Sequence, residues 1–335
     1  MSFGLGLFTG QVPPGSARTF AEEYRDMLEL ARLGDAAGFA SLWVSEHHGA
    51  ADGYLPSLNV MLAAMAAVTE RAELGMGVAL APFNHPLRFA EDCAVVDQLS
   101  GGRLLVGLGL GWREEEFRAF GVRPSERVAR TAELVEVCRR AWTQERFSYG
   151  PFTDVAVTPK PAHPVPILIG GTVEASVRRA GRLGDGFLSS QWAAPPADFL
   201  QRVAVFEAGV RASGRDPADM LLVAFLNVWV TLDGRVPDEV AARIWHQAGA
   251  YAAWAVPSDV PGRPFAMPAF DRAEVAARVI AGTPDAVAAR LGAWVDELRD
   301  RRVVLAVRLH YPGLPLAPAA AALELFASRV APQLA

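Results

Sequence analysis

The feature that most constrains the fold is a rhythm. Short runs rich in β-branched residues, Leu and Gly alternate with longer stretches whose apolar residues recur at helical spacing. Candidate strands occupy residues 3–8, 41–45, 74–80, 104–108, 165–169, 186–190, 221–231 and 303–309. Amphipathic stretches lie between them, at 19–37, 58–69, 86–99, 125–142, 173–183, 196–213 and 283–298. Such alternation is the mark of βα units around a parallel sheet. About eight units in a chain of 335 residues predict a (β/α)8 TIM barrel rather than a doubly wound sheet. We read residues 1–335 as one barrel domain, with its chemistry where strands end and loops begin.

Two segments break the rhythm. Residues 146–164, FSYGPFTDVAVTPKPAHPV, carry too much Pro and aromatic character for a helix and read as a hairpin with an extended arm. Residues 232–282 form an insertion before the last strand, with a helical piece near 237–254 followed by the Pro-rich VPSDVPGRPFAMPAF. Long irregular loops within compact domains serve as lids or as surface excursions, and both readings stand for this one.

Composition excludes several function classes. A formal net charge of -5 leaves no basic surplus for a phosphate backbone or an anionic membrane, so no nucleic-acid or membrane partner is expected. No apolar run approaches the roughly 18 residues of a membrane span, and MSFGLGLF lacks the basic lead of a secretory signal. The two cysteines, Cys93 and Cys138, fall within helical stretches and read as buried, reduced thiols. A cytoplasmic protein is expected.

At the end of the second candidate strand, WVSEHHG places Glu46, His47 and His48 at the barrel rim. A catalytic zinc needs three protein ligands. The first and fourth strands end in Phe8-Thr9-Gly10 and Gly109-Leu110-Gly111-Trp112, neither of which supplies one, so no metal site is expected. A bonded turn and proton chemistry both remain open for His47, since an imidazole of pKa about 6.5 exchanges protons near neutrality. The third strand, ELGMGVALAPFNHP, has Gly75 and Gly77 where a flat ring could approach the backbone, or where glycines relieve crowding. In PILIGGTVEASVRRAG an apolar strand runs through Gly170, Gly171 and Thr172 straight into a helix. Free N–H groups at a helix start suit a phosphate, while Thr172 could equally be a simple N-cap. The run GRLLVGLGLGW exposes backbone at Gly109 but lacks the acidic residue that completes a dinucleotide fingerprint. Trp192 ends the sixth strand, where an indole can stack on a ring.

On these stretches, GFASLWVSEHHG, ALAPFNHPLRFAEDCAVVDQLSGGRLLVGLGLGW and ILIGGTVEASVRRAGRLGDGF, together with GTPDAVAARL at 282–291, the sequence resembles the bacterial luciferase-like monooxygenase family. The resemblance implies a TIM barrel, usually dimeric, that binds reduced flavin at its C-terminal rim and reacts it with dioxygen. It puts the catalytic imidazole on His47 and the flavin-facing backbone on Gly77 and Val78, where the family often holds a non-proline cis peptide. It puts the phosphate turn on Gly170, Gly171 and Thr172 and the ring-side tryptophan on Trp192. Where the luciferase subunit has a reactive cysteine and a phosphate-binding arginine, this chain has Gly109 and Leu110, with Arg113 the nearby substitute. Light emission is not implied.

The expected activity is therefore a monooxygenase that takes FMNH2 from a separate reductase, no nicotinamide fingerprint being visible, and works through a flavin C4a-(hydro)peroxide. His47 would manage a proton, with Glu46 or another rim carboxylate biasing its charge. Trp254, Phe265, Met267 and Phe270 in the insertion suggest a small, largely apolar organic substrate. The rival readings are a deazaflavin-dependent hydride-transfer oxidoreductase and a flavin-binding barrel without turnover. A homodimer is the expected assembly.

Overall fold

The computed structural model describes residues 1–254 and 270–334. Its strands are β1 (Ser2–Phe8), β2 (Ser41–Val44), β3 (Glu73–Met76), β4 (Ala79–Leu80), β5 (Leu104–Gly109), β6 (Phe147–Tyr149), β7 (Phe152–Val155), β8 (Ile167–Gly170), β9 (Gly186–Trp192), β10 (Leu221–Val230), β11 (Ile280–Gly282) and β12 (Arg302–Arg308). The helices that matter below are α1 (Phe20–Ala36), α2 (Leu58–Ala66), α3 (Pro86–Ser100), α4 (Glu114–Ala119), α5 (Arg127–Thr143), α6 (Glu174–Leu183), α7 (Pro196–Ala212) and α8 (Asp238–Ala253).

Parallel pairing runs β12-β1-β2-β3-β5-β8-β9-β10, with β4 continuing the β3 position beside β5, and β10 returns to β12. The ring is closed, so this is the expected (β/α)8 barrel. Strands buried on both faces read as continuous apolar runs, and β2 and β5 are buried along their whole length. The third predicted strand is split: β3 and β4 flank Gly77-Val78, whose peptide bond is cis, as is that of Gly6-Leu7. Residues 146–164 contain the expected hairpin, β6 against β7 antiparallel. The insertion also holds β11, which extends the sheet beside β10 and is too short to be read from its sequence.

Local chemistry sets the helix ends. Thr19 caps α1 through a reciprocal pair: its hydroxyl accepts from the Glu22 N–H, and the Glu22 carboxylate accepts from the Thr19 N–H. Gly101 ends α3 in the left-handed region at φ 69°, where a side chain would be strained.

Two apolar layers follow from strand alternation. Outward residues pack under the helices, while Trp43, Leu105, Leu168, Leu188, Val223, Phe225, Val304 and Ala306 fill the barrel interior. Trp43 lies inside the barrel, fully buried, with its indole N–H donating to Ser41 Oγ at 2.8 Å and its ring edge-on to Phe225. Gly75 exists to admit it: a Cβ there would stand 2.2 Å from the indole.

Glu23, on α1, is buried without exposure. Its carboxylate sits 3.4 Å from Arg18 and 3.6 Å from the His310 ring. Burial lifts its pKa from 4.5 to about 8, with Arg18 pulling the other way. Burial likewise pushes His310 down to about 4, and its Nε2 donates to the Leu314 carbonyl. Both groups are therefore neutral when folded near neutral pH. A folded pKa raised above the unfolded one contributes stability that is complete below pH 4.5 and is lost as pH rises toward 8. Chemical denaturation of the protein and of Glu23→Gln between those limits should show the wild type losing ground by on the order of 1.4 kcal/mol per pH unit. A difference that stays flat across the window contradicts the burial of a neutral Glu23.

Candidate active site

The C-terminal ends of the barrel strands form the candidate site. His47 follows β2 and is buried; its Nδ1 lies 2.9 Å from Glu116 Oε1. Glu116 ends the first turn of α4, and of the three consecutive glutamates there it alone turns inward. The same oxygen accepts the His48 N–H at 2.8 Å, and Arg113 Nη1 lies 3.4 Å away. Burial by itself would raise this carboxyl, but the bonds from His47 and His48 and the charge of Arg113 outweigh it and hold the carboxyl below its ordinary value. Glu116 is thus an acceptor only, so Nδ1 carries the hydrogen and Nε2 is the nitrogen left for chemistry.

The expected role of Glu46 is corrected here. Its Oε1 lies 2.5 Å from His48 Nε2, and its Oε2 accepts the Leu80 N–H at 3.1 Å. Glu46 therefore fastens the turn after β2 to β4, and the rim carboxylate beside His47 is Glu116. His48 holds that turn: its ring packs on Phe120 at 4.6 Å, and its carbonyl accepts from Arg113.

Around the His47 ring stand Tyr54 at 4.9 Å, Trp112 at 5.7 Å, Tyr251 at 5.8 Å and Trp254 at 5.0 Å. Tyr251 lies in the last turn of α8 and Trp254 caps it, so this part of the insertion stands beside His47. The Tyr54 hydroxyl donates to Ser45 Oγ at 3.1 Å and lies 3.0 Å from the Tyr251 hydroxyl. His246 on the same helix meets Asp52 at 2.9 Å, and Asp52 also accepts from Gln11. Phe270 instead lies exposed against Trp245. Phe265 and Met267, and with them most of the Pro-rich stretch, lie outside the described residues.

The expected flavin positions split into two groups. Gly77, Val78, Gly109 and Gly170 come together: a Cβ on Gly109 would stand 2.4 Å from one Val78 methyl, and one on Gly170 3.3 Å from the other. At Gly77 a Cβ would meet Phe225 at 2.6 Å. These glycines admit barrel side chains, the crowding alternative, and thereby seat the Gly77-Val78 peptide at the rim. Gly171 and Thr172 lead into α6, whose N-cap is Val173 with no side-chain cap; Thr172 is exposed and is not the cap. Glu174 turns away to pair with Arg178 at 2.6 Å, so it does not face the turn. Trp192 ends β9 with φ 54° and stands 6.0 Å from Tyr251. Arg113 is not a free phosphate ligand: it is buried, bonded to His48 and Glu116, and lies 4.2 Å over the Trp254 ring.

Glu116, Tyr54 and Tyr251 escaped the sequence reading. A run of three glutamates gives no sign of which one faces inward, Tyr251 lies far along the chain from His47, and nothing in the loop after β2 marks Tyr54 as its neighbour. Among the described residues no group of three or more His, Cys, Asp or Glu is arranged to hold a metal ion, and no helix is long and apolar enough to cross a membrane.

Residues 1–301 match the family model described as luciferase-like monooxygenase. An uncharacterized protein of Mycobacterium tuberculosis is 32% identical over 277 residues, spanning 74% of this chain and 89% of its own. The monooxygenase RslO1 from Streptomyces bottropensis is 29% identical, with a TM-score of 0.81 over 100% of both chains. Two structures at 20% identity share the fold alone. One is the FMN-bound oxygenating constituent of 3,6-diketocamphane monooxygenase from Pseudomonas putida, with a TM-score of 0.77 over 99% of this chain and 98% of that one. The other is the coenzyme F420-dependent tetrahydromethanopterin reductase from Methanopyrus kandleri, with a TM-score of 0.70 over 100% and 99%.

Glu116 is the carboxylate that Arg113 meets among the described residues. Glu116→Ala should therefore destabilise the fold at neutral pH by about 3–5 kcal/mol, the cost of stranding a buried charge. Because the folded pKa is depressed, the contribution is present above the ordinary 4.5 and fades as pH falls through the lower folded value. Denaturant midpoints measured for both proteins down that range check the size and the sign together.

Proposed function

The chain belongs to the luciferase-like monooxygenase family, and on that premise we propose that it is a flavin-dependent monooxygenase using reduced FMN and dioxygen on a largely apolar organic substrate. The fold is shared by an FMN-bound oxygenase and by an F420-dependent reductase, so the fold by itself does not choose between the two chemistries. The observation that carries the oxygenase reading is His47. It is an imidazole oriented by a buried carboxylate and closed over by four aromatic rings, at the rim of a barrel whose interior is full. The resemblance to RslO1 over the whole of both chains supports the same reading.

The residues present fit a flavin mononucleotide. The uncapped start of α6, with Gly171 and Thr172, offers free N–H groups and a hydroxyl to a phosphate. The Gly77-Val78 peptide, with Gly109 and Gly170 behind it, offers an apolar surface for one face of a ring, and Trp192 stands at the edge. Bound reduced flavin would supply the electrons with which dioxygen is divided between product and water. What the chain itself does is narrower. His47 holds or moves a proton at Nε2, and Glu116 stabilises the ring when it is charged, without leaving its place. Tyr54, Tyr251 and Trp254 keep water from that proton, which protects any intermediate that water would destroy. A separate reductase supplying the flavin, and a homodimer, complete the proposal.

Two measurements test it. In absorbance titrations FMN should bind; tight binding of the deazaflavin with none of FMN would overturn the oxygenase reading in favour of hydride transfer. Supplied with FMNH2, dioxygen and a cell extract of the source organism, the protein should yield an oxygenated product detectable by mass spectrometry. His47→Ala should cut that yield by roughly 10²–10⁴-fold while FMN affinity holds. Undiminished turnover removes His47 from its role, and no turnover in the wild type favours a flavin-binding barrel.

A further inference from the structure

Arg308 closes β12 and is unusual for what it lacks. Val304 and Ala306, at the alternate positions before it, point into the barrel, so the Arg308 side chain rises on the same face at the mouth. It is 7% exposed. Its Nε donates to the Leu7 carbonyl on β1 at 3.1 Å, and its Nη2 is buried with no partner. Among the described residues no carboxylate forms an ion pair with it. A buried guanidinium normally has an anionic partner, because desolvating the charge without one is costly.

Topology says which space this cation faces. In the closed ring β12 stands four strands from β5 in either direction, and three from β8. The Gly109 and Gly170 side, proposed above for the flavin, is therefore across the mouth. On the near side are β1 and β2 with His47, and above them α8, fastened through His246 to Asp52 and through Tyr251 to Tyr54. Burial raises the phenols of Tyr54 and Tyr251 above their ordinary value, and Arg308 is the cation that pulls both back. Both therefore lie within its electrostatic reach.

We infer that Arg308 is the anion-recognition residue of the substrate site: it binds an ionised oxygen, phenolate, enolate or carboxylate, carried by a planar aromatic substrate that lies among Tyr54, Trp112, Tyr251 and Trp254. The orientation of that substrate toward a flavin rests on the reading of the site given above; the recognition of the anion does not. A guanidinium fixed by Leu7 on one nitrogen presents its other donors in a fork suited to an oxyanion. The four rings around His47 supply flat apolar walls. Selectivity for an acidic aromatic compound over its neutral ether follows, because the neutral ligand leaves the buried charge unanswered.

Calorimetric titration of the full-length protein, without and with FMN, would use three probes of one shape: 4-nitrophenol, 4-nitrobenzoate and the neutral 4-nitroanisole. The wild type should prefer at least one anion to the anisole by on the order of tenfold or more. The phenol and benzoate arms identify which oxygen is read. Arg308→Met should abolish that preference while leaving anisole and FMN affinity unchanged, and Arg308→Lys should restore part of it. Because the methionine removes an uncompensated buried charge, its denaturation midpoint should equal or exceed that of the wild type. An unchanged anion preference in Arg308→Met overturns the proposal. So does a selective loss of reduced-FMN binding, which would assign the cation to the flavin, and so does a lowered midpoint with the preference intact, which would make it structural. Failure of FMN to bind at all, with the anion preference present and lost in Arg308→Met, would overturn the flavin reading and leave this one standing.

Discussion

The indole of Trp43 inside the barrel is the constraint on which the rest depends. Lying on Gly75, bonded to Ser41 and set edge-on to Phe225, it makes the lower barrel solid. Interiors packed this densely leave no room for a ligand below that level. Everything chemical is therefore pushed to the ends of the strands, where Val78 wedges between Gly109 and Gly170 and the loops begin. The glycines along β3 and β5 serve that packing first; a ligand would meet what the packing presents.

Above this floor the charges are arranged in two ways. Arg113 and Glu116 answer one another and together hold His47 and the turn of His48. Glu23 and His310 avoid the cost of burial by being neutral. Arg308 has neither remedy among the described residues, and that contrast within one rim is what singles it out. A buried cation at the mouth that meets no carboxylate among the described residues is placed to receive an anion from outside. Under the proposed function the mouth then has two sides, a flavin side on β3, β5 and β8 and a substrate side on β2, β12 and α8, with His47 between them.

Much of this was legible in the residues alone. The eight strands appeared as runs, because parallel strands buried on both faces must be apolar throughout. EHH announced a rim because polar side chains directly after such a run cannot stay inside. The hairpin at 146–164 was marked by the prolines and aromatics that exclude a helix. The Gly-Gly-Thr turn was marked by a helix beginning immediately after a strand. What stayed hidden was pairing. Glu46 is adjacent to His47 in sequence, yet neighbouring side chains after a strand diverge, so it reached His48 and the Leu80 amide instead.

The sequence by itself determined the barrel and placed the Glu46-His47-His48 run at the C-terminal rim, because those follow from periodicity and from which residue types end each strand. Only the tertiary structure decided that Glu116, 69 positions beyond His47, is its carboxylate. Only it brought Tyr251 from the insertion against Tyr54, and left Arg308 without a counter-ion among the described residues. The physical reason is range. Hydrophobic alternation is a local property of the chain, whereas a buried charge finds or lacks its partner only once the ring of strands has closed and α8 has been laid across its mouth.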